Sequence, residues 1–359
     1  MMIDLLWEAV QRGASDLHLT MGLPPMLRIN GSMLPLEAPC LSFDDTKECL
    51  LELASEQQNQ LLAERGEIDF SYAIDGLGRF RINAFRRQGT VAIAIRVIPS
   101  QVMTLEQLGL PETVKDLARK SQGLVLITGP TGSGKSATLA AMIDLINNEK
   151  ACHIITLEDP IEYLHHHKKS MVNQREIHTD TFSFSNALRA ALREDPDVIL
   201  VGEMRDPETI STVITAAETG HLVFATLHTG DAAQTIDRIV DAFPSYQQQQ
   251  MRTQLSLTLQ GIVAQQLLPR KNGRGRVVAV EVLTATPAVR NLIREGKTHQ
   301  IISVIQTGSK FGMQTMDMAL LWLYRQGLIS REEAIAKVMD PEVFARQFKS
   351  NSDVLTGGL

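Results

Sequence analysis

Gly129, Pro130, Thr131, Gly132, Ser133, Gly134, Lys135 and Ser136 have the types and the order needed to hold a polyphosphate. Glycines let backbone N–H groups turn inward around phosphate oxygens, and a helix opening at the end of the loop adds the partial positive charge of its amino terminus. In such a loop Lys135 reaches the outer phosphates, the Ser136 hydroxyl ligates Mg2+, and Ala137 continues the helix start. The flanks fit: Leu124 to Ile127 reads as a buried strand and Ala137 to Ile143 as a helix. A surface Gly-Ser turn would share the letters but not these neighbours.

Three more short apolar runs, His153 to Leu157, Val198 to Val201 and Leu222 to Leu227, alternate with helical segments. That alternation predicts an α/β core with a parallel sheet covered on both faces, whose ligands sit outside the carboxyl ends of the strands. Polar residues stand at those ends: Glu158, Asp159 and, slightly beyond, Glu162; then Glu203; then His228. Phosphoryl transfer to water needs a cradle, a metal, a positioned water and positive charge for the transition state. Glu203 suits the acidic residue that orients Mg2+ or its water. Glu158, Asp159 and Glu162 are candidates for the general base, and spacing does not choose between Glu162 and Glu203. His228 is placed to sense the terminal phosphate, whereas His221, at the other end of its strand, suits a structural role equally well. Arg79, Arg81 and Arg96 fall on amino-terminal strands. They are ordinary solvated positions unless that region packs over the nucleotide, where they would stabilise charge.

The elements that position these groups divide the chain into four stretches. Residues 1–98 read as a small α+β domain. A hairpin is expected around Asn30-Gly31, a meander from Ile68 to Ile74, Gly78 to Phe85 and Thr90 to Val97, and a helical pattern between Leu41 and Leu62. A linker is expected over 99–111, opened by Pro99-Ser100, the core over 112–270, and a helical carboxy-terminal part over 271–359. Leu255, Leu259, Ile262, Val263 and Leu267 recur at helical spacing as one core-facing stripe. Thr286-Pro287 and Ser330-Arg331-Glu332-Glu333 are helix-start signals. His165-His166-His167 reads as a solvated loop.

Composition narrows the function. The 359 residues are 44% apolar and carry a net charge of −6, which disfavours a general nucleic-acid binder. Cys40, Cys49 and Cys152 lack metal-ligand spacing, so no structural zinc is expected. Residues 1–13 carry Asp4 and Glu8 in an amphipathic pattern without signal-peptide features, and no run approaches the length of a membrane span. A cytoplasmic chain without membrane insertion is expected.

The chain resembles the secretion ATPases of the type II and type IV pilus class, and within it the pilus retraction ATPases. The resemblance is carried by Gly129 to Ser136, the acidic box Ile155 to Glu162, the segment Asp197 to Asp206 and the histidine box Ala217 to His228, and it begins at Gly13 to Leu19. It implies a PAS-like amino-terminal domain, a RecA-like P-loop NTPase core with a helical carboxy-terminal subdomain, and a homohexamer binding ATP and Mg2+ at subunit boundaries. It assigns the base to Glu162, Mg2+ coordination to Glu203 with Ser136, and contact with ATP to Arg81. An inner-membrane pilus platform protein is the implied partner, with the chain peripheral at the inner face of that membrane.

Two features point to retraction rather than assembly: no tetracysteine zinc motif, and a helix Ala288 to Glu295 that matches one of the retraction ATPases. On that helix Arg290, Asn291, Arg294 and Glu295 become a partner-facing or coupling surface; without the resemblance they read as a solvated edge. Ala137 stands where the class usually has Thr, and Gly230-Asp231 replaces a Thr-Ser stretch. An accessory retraction ATPase or another secretion ATPase would share every catalytic motif. A nucleic-acid translocase on the same core and a nucleotide-sensing scaffold without turnover are the rivals from other classes.

Overall fold

The computed structural model describes residues 1–29, 31–98, 101–273 and 275–338, in two compact units: Met1–Gln101 with Glu162–Leu164, and Val102–Ile161 with the chain from His165 on.

In the first unit, α1 (Met2–Gln11) precedes β1 (Asp16–Leu19), β2 (Met26–Ile29) and β3 (Ser32–Pro35). Then come α2 (Phe43–Leu53), α3 (Glu56–Arg65), β4 (Glu67–Ile74), β5 (Gly78–Arg87) and β6 (Thr90–Ile98). Ser42 and Ser55 each close a capping box, which divides the helical pattern of residues 41–62 into two helices. The strands pair antiparallel in the order β3-β2-β1-β6-β5-β4. Alternation sets the faces: Phe80, Ile82 and Ala84 of β5 join Leu17, Ile93 and Ile95 in a core closed by Met2, Leu6 and Leu50, which turns Arg79 and Arg81 to the other side.

The expected hairpin is present, with Ile29 opposite Ser32 and Gly31 at φ +86°. Asn30 lies outside the described residues, as do Pro99 and Ser100 at the expected start of the linker. Past them, Leu105 and Leu110 are buried with Val114 and Leu117, so residues up to Pro111 are packed chain of the second unit rather than a free tether.

The second unit runs through α4 (Glu112–Ala118), β7 (Gly123–Thr128), α5 (Lys135–Glu149), β8 (His153–Glu158), β9 (Met171–Glu176), α6 (Phe184–Ala191) and β10 (Val198–Val201). It continues with α7 (Pro207–Glu218), β11 (Leu222–Leu227), α8 (Ala232–Asp241), α9 (Ser245–Thr258), β12 (Leu259–Pro269) and β13 (Arg276–Thr284). The helices α10 (Pro287–Arg294), α11 (Ile301–Thr307), α12 (Met316–Arg325) and α13 (Arg331–Ile335) complete it. The sheet order is β13-β12-β7-β11-β10-β8-β9, parallel throughout except for β12 with β13. Leu124, Leu126, Ile199 and Val201 pack under α6 to α9, and Val125, Ile127, Val198 and Leu200 under α4 and α5. Burial on both faces is why these strands read as unbroken apolar runs.

Two expectations fail here. The stripe from Leu255 to Leu267 is not one helix: α9 ends at Thr258 and Leu259–Pro269 is a strand, parallel to β7 and antiparallel to β13. A strand buried on both faces loses its period-two signal, and its apolar residues imitate helical spacing. The β-branched Ile262, Val263, Val277, Val278, Val280 and Val282 favour the extended chain. The boundary expected at 270 therefore cuts a hairpin of the core sheet, and the helical region opens at Pro287. Edge strand β9 was not foreseen because Asn173, Gln174 and Arg175 leave no apolar run.

Candidate active site

The phosphate loop joins β7 to α5. Gly129, Gly132 and Gly134 have φ of +141°, +79° and +92°, where a Cβ brings strain. At Gly129 the demand is also steric, since a Cβ would stand 2.4 Å from the Gln265 carbonyl oxygen and 2.6 Å from Ser133 Oγ. Gly134 is the N-cap of α5 and supplies no side-chain cap, which leaves the first amides of the helix to an anion. The hydroxyls of Ser133 and Thr128 are buried with no hydrogen-bond partner among the described residues. Lys135 Nζ donates to the carbonyls of Gly129 at 2.8 Å and Pro130 at 3.1 Å. Pro130, Thr131 and Gly132 are exposed, and Ser136 and Ala137 are half-buried in the first turn of α5. This cradle fits a polyphosphate: open helix amides, a lysine at the loop and a hydroxyl at the helix start.

At the neighbouring strand ends the structure brings Glu203 and His228 together. The Thr226 hydroxyl donates to the Gly202 carbonyl, and the Met204 amide donates to the Thr226 carbonyl at 3.1 Å, which ties the loop after β10 to the end of β11. Glu203, only 17% exposed, then lies 3.5 Å from His228 Nε2 and 2.8 Å from Arg205 Nε. Glu158 is engaged inside the sheet end, accepting from Thr156 Oγ1 at 2.6 Å and Gln174 Nε2 at 3.1 Å. Asp159 is exposed beyond it. Glu162 is exposed and groups with the first unit.

The family profile described as "Type II/IV secretion system protein" matches residues 2–335. The chain belongs to that family. It is 52% identical to the "Type IV pilus retractation ATPase PilT" of Pseudomonas aeruginosa, over 95% of this chain and 99% of that protein. A "Twitching motility protein" of Neisseria gonorrhoeae is 51% identical, over 89% and 85% of the two chains. Among solved structures, the crystal structure of the pilus retraction motor PilT with bound ADP superposes with a TM-score of 0.90 at 53% identity, covering 96% of this chain and 98% of that one. The core of this type II/IV secretion family member is RecA-like.

Two expected site residues take other roles. His221 stands at the opposite end of β11 from His228, where its Nδ1 meets the Ala216 carbonyl at 2.9 Å and Thr219 Oγ1 at 3.3 Å. It shapes the turn from α7 into the strand and does not join the strand-end site. Arg290 is not on a solvated edge: its guanidinium donates to the carbonyls of Ser256 and Leu257 at the end of α9, and burial lowers its pKa. Asn291, Arg294 and Glu295 remain exposed, with Asn291 donating to Glu295 at 2.8 Å. In the supposedly solvated histidine run, His165 is half-buried and burial pushes its pKa down to about 4, while His167 Nδ1 accepts from the Val172 amide.

On the first unit's sheet, Arg28, Asp16, Arg96, Arg81 and Ser71 lie opposite one another in a single cross-strand row. Arg96 pairs with Asp16 at 3.0 Å, Arg81 with Asp69 at 3.7 Å, and Arg79 donates to Ser71. Sequence reasoning missed Gln265 and Arg205. The Asp197 to Asp206 segment contained Arg205, but nothing marked Gln265 while its strand was read as helix.

Proposed function

We propose that this family member is a Mg2+-dependent ATPase that assembles as a homohexamer and drives type IV pilus retraction, and so twitching motility. The observation that carries the reading is the Glu203–His228 pair at strand ends that share a sheet with the phosphate loop. The 52% identity to a retractation ATPase across 99% of its length supports the retraction assignment.

In this reading Lys135 turns from the loop carbonyls to the outer phosphates, and Ser136 and Glu203 would hold a Mg2+ ion, which would supply charge neutralisation there. Glu162 takes the proton from the attacking water. His228, held against Glu203, senses the terminal phosphate. Arg81, with Arg79 and Arg96, supplies positive charge from a PAS-like amino-terminal unit across a domain or subunit boundary, so that turnover depends on closure. The partner is a pilus platform protein of the inner membrane, with the ATPase peripheral on its cytoplasmic side. No helix among the described residues is long and apolar enough to cross a membrane. Neither nucleic acid nor zinc enters the reading.

Phosphate release by the full chain tests it. Lys135→Ala and Glu203→Ala are each expected to abolish hydrolysis while assembly persists, and wild-type turnover in either defeats the assignment. In cells, a deletion strain is expected to be hyperpiliated and non-motile; a strain lacking pili would point to assembly instead.

A further inference from the structure

Glu281 of β13 is an acidic residue that this hydrolytic scheme does not use, yet it is only 1% exposed. Its Oε1 accepts from the backbone N–H of Ala232, the first residue of α8, at 2.9 Å. The Met316 amide, at the first residue of α12, also favours its ionised form. One carboxyl group therefore faces the amino ends of two helices, where negative charge is stabilised.

The chain entering α8 is the segment that leaves β11 with His228. It is braced in short steps. Asp231 caps α8 through the Gln234 amide at 2.8 Å, the Thr235 hydroxyl donates to the Asp231 carbonyl at 2.6 Å, and the hydroxyls of Thr229 and Thr235 are 2.6 Å apart. Three residues separate His228 from the amide that Glu281 holds. Beside the carboxyl group lies a cleft of about 270 Å3 lined by Asp231, Asp237, Thr298, His299 and Ile301 among others.

We propose that Glu281 is a positioning residue for the hydrolytic site, fixing through the amino end of α8 the loop that holds His228 against Glu203. The hydrogen bond to Ala232 is charge-assisted when Glu281 is ionised and an ordinary one when it is protonated. Burial pushes the carboxyl up to about 7; the amides of Ala232 and Met316 oppose that, and the carboxylates of Asp231 and Asp317 add to it. Asp237 and His299 are the other titratable groups at the cleft. The grip on the His228 loop therefore strengthens as pH rises through neutrality.

The inference rests on the reading that this site hydrolyses ATP, and kinetics on the full chain can separate the two. Glu281→Ala is expected to lower kcat about tenfold or more with KM for ATP changed less than about twofold, the pattern of a lost transition-state arrangement. Glu281→Gln keeps a neutral acceptor for the Ala232 amide and is expected to recover most of kcat near pH 6. The ratio of wild-type to Glu281→Gln kcat should then rise several-fold, by roughly threefold or more, between pH 6 and pH 8. Groups common to both proteins cancel in that ratio, and a purely structural role would not make it depend on pH. If Glu281→Ala does not fold, the ratio alone decides. A pH-independent ratio, or wild-type kcat in a folded Glu281→Ala protein, overturns the role of Glu281 and leaves the ATPase reading intact. A wild-type chain that does not hydrolyse ATP overturns both.

Discussion

Replacing Glu281 by Gln should make the stability of the second unit less sensitive to pH, in a direction and by an amount set by the burial of that side chain. An ordinary glutamate titrates near 4.5, and in the fold burial pushes Glu281 up to about 7. The folded chain therefore holds this proton more tightly than the unfolded chain. Between those two values the unfolded state has released the proton and the folded state has not, so stability falls as pH rises and the loss is complete above about pH 8. At about 1.4 kcal/mol per decade the interval amounts to roughly 3 kcal/mol. Gln carries no charge at any of these pH values, and any fixed cost of its extra N–H is the same throughout. The melting temperature of Glu281→Gln relative to wild type should therefore be higher at pH 8 than at pH 5 by roughly 6–12 °C for a unit of this size. Scanning calorimetry on nucleotide-free protein across that range, at fixed ionic strength, measures it. A difference that stays constant with pH, or grows toward acid, would refute the reasoning. A residue that costs stability when ionised and yet holds the His228 loop in that form is the trade expected of a group retained for function.

Gly129→Ala should weaken binding of a fluorescent ATP analogue about tenfold or more, because the new Cβ has no room against the Gln265 carbonyl 2.4 Å away. Gly132→Ala meets nothing within 4 Å, so strain at a positive φ should cost it only about 1 kcal/mol. Equal affinities for Gly129→Ala and wild type would contradict the packing described at the loop. Arg290→Met should lower stability by roughly 1–3 kcal/mol, since the carbonyls of Ser256 and Leu257 lose their donor. Unchanged melting with loss of pilus retraction would instead return Arg290 to a partner-facing role.

Local signals made the phosphate loop legible: a buried strand, glycines and a helix start within a dozen residues leave few alternatives. The four strands β7, β8, β10 and β11 were readable because continuous apolar runs of four to six residues are too short for helices. The pairing of Glu203 with His228 was legible only as a convergence of strand ends; the contact depends on Thr226 reaching the Gly202 carbonyl across two parallel strands, which no sequence spacing encodes. Arg290 shows the converse. At four residues from Arg294 it looked like half of a basic edge, but its length lets it reach back to the end of α9, and only the tertiary fold reveals those unpaired carbonyls.

The misread hairpin has the largest consequence for the site. Burial on both faces erases the alternation of β12 and β13, yet these strands back the catalytic end of the sheet from two directions. Through Gln265, β12 presses its carbonyl against Gly129 and forces glycine into the first position of the loop. Through Glu281, β13 holds the start of α8 and the loop behind His228. Ala264 lies opposite Glu281 in the register, so these two supports are adjacent steps of one ladder. A shift of the hairpin by one residue would bring a different carbonyl to Gly129 and turn the Glu281 side chain away from the amino end of α8. The phosphate cradle and the histidine loop are thus set by a common register, which makes this hairpin the element through which a displacement at one would reach the other.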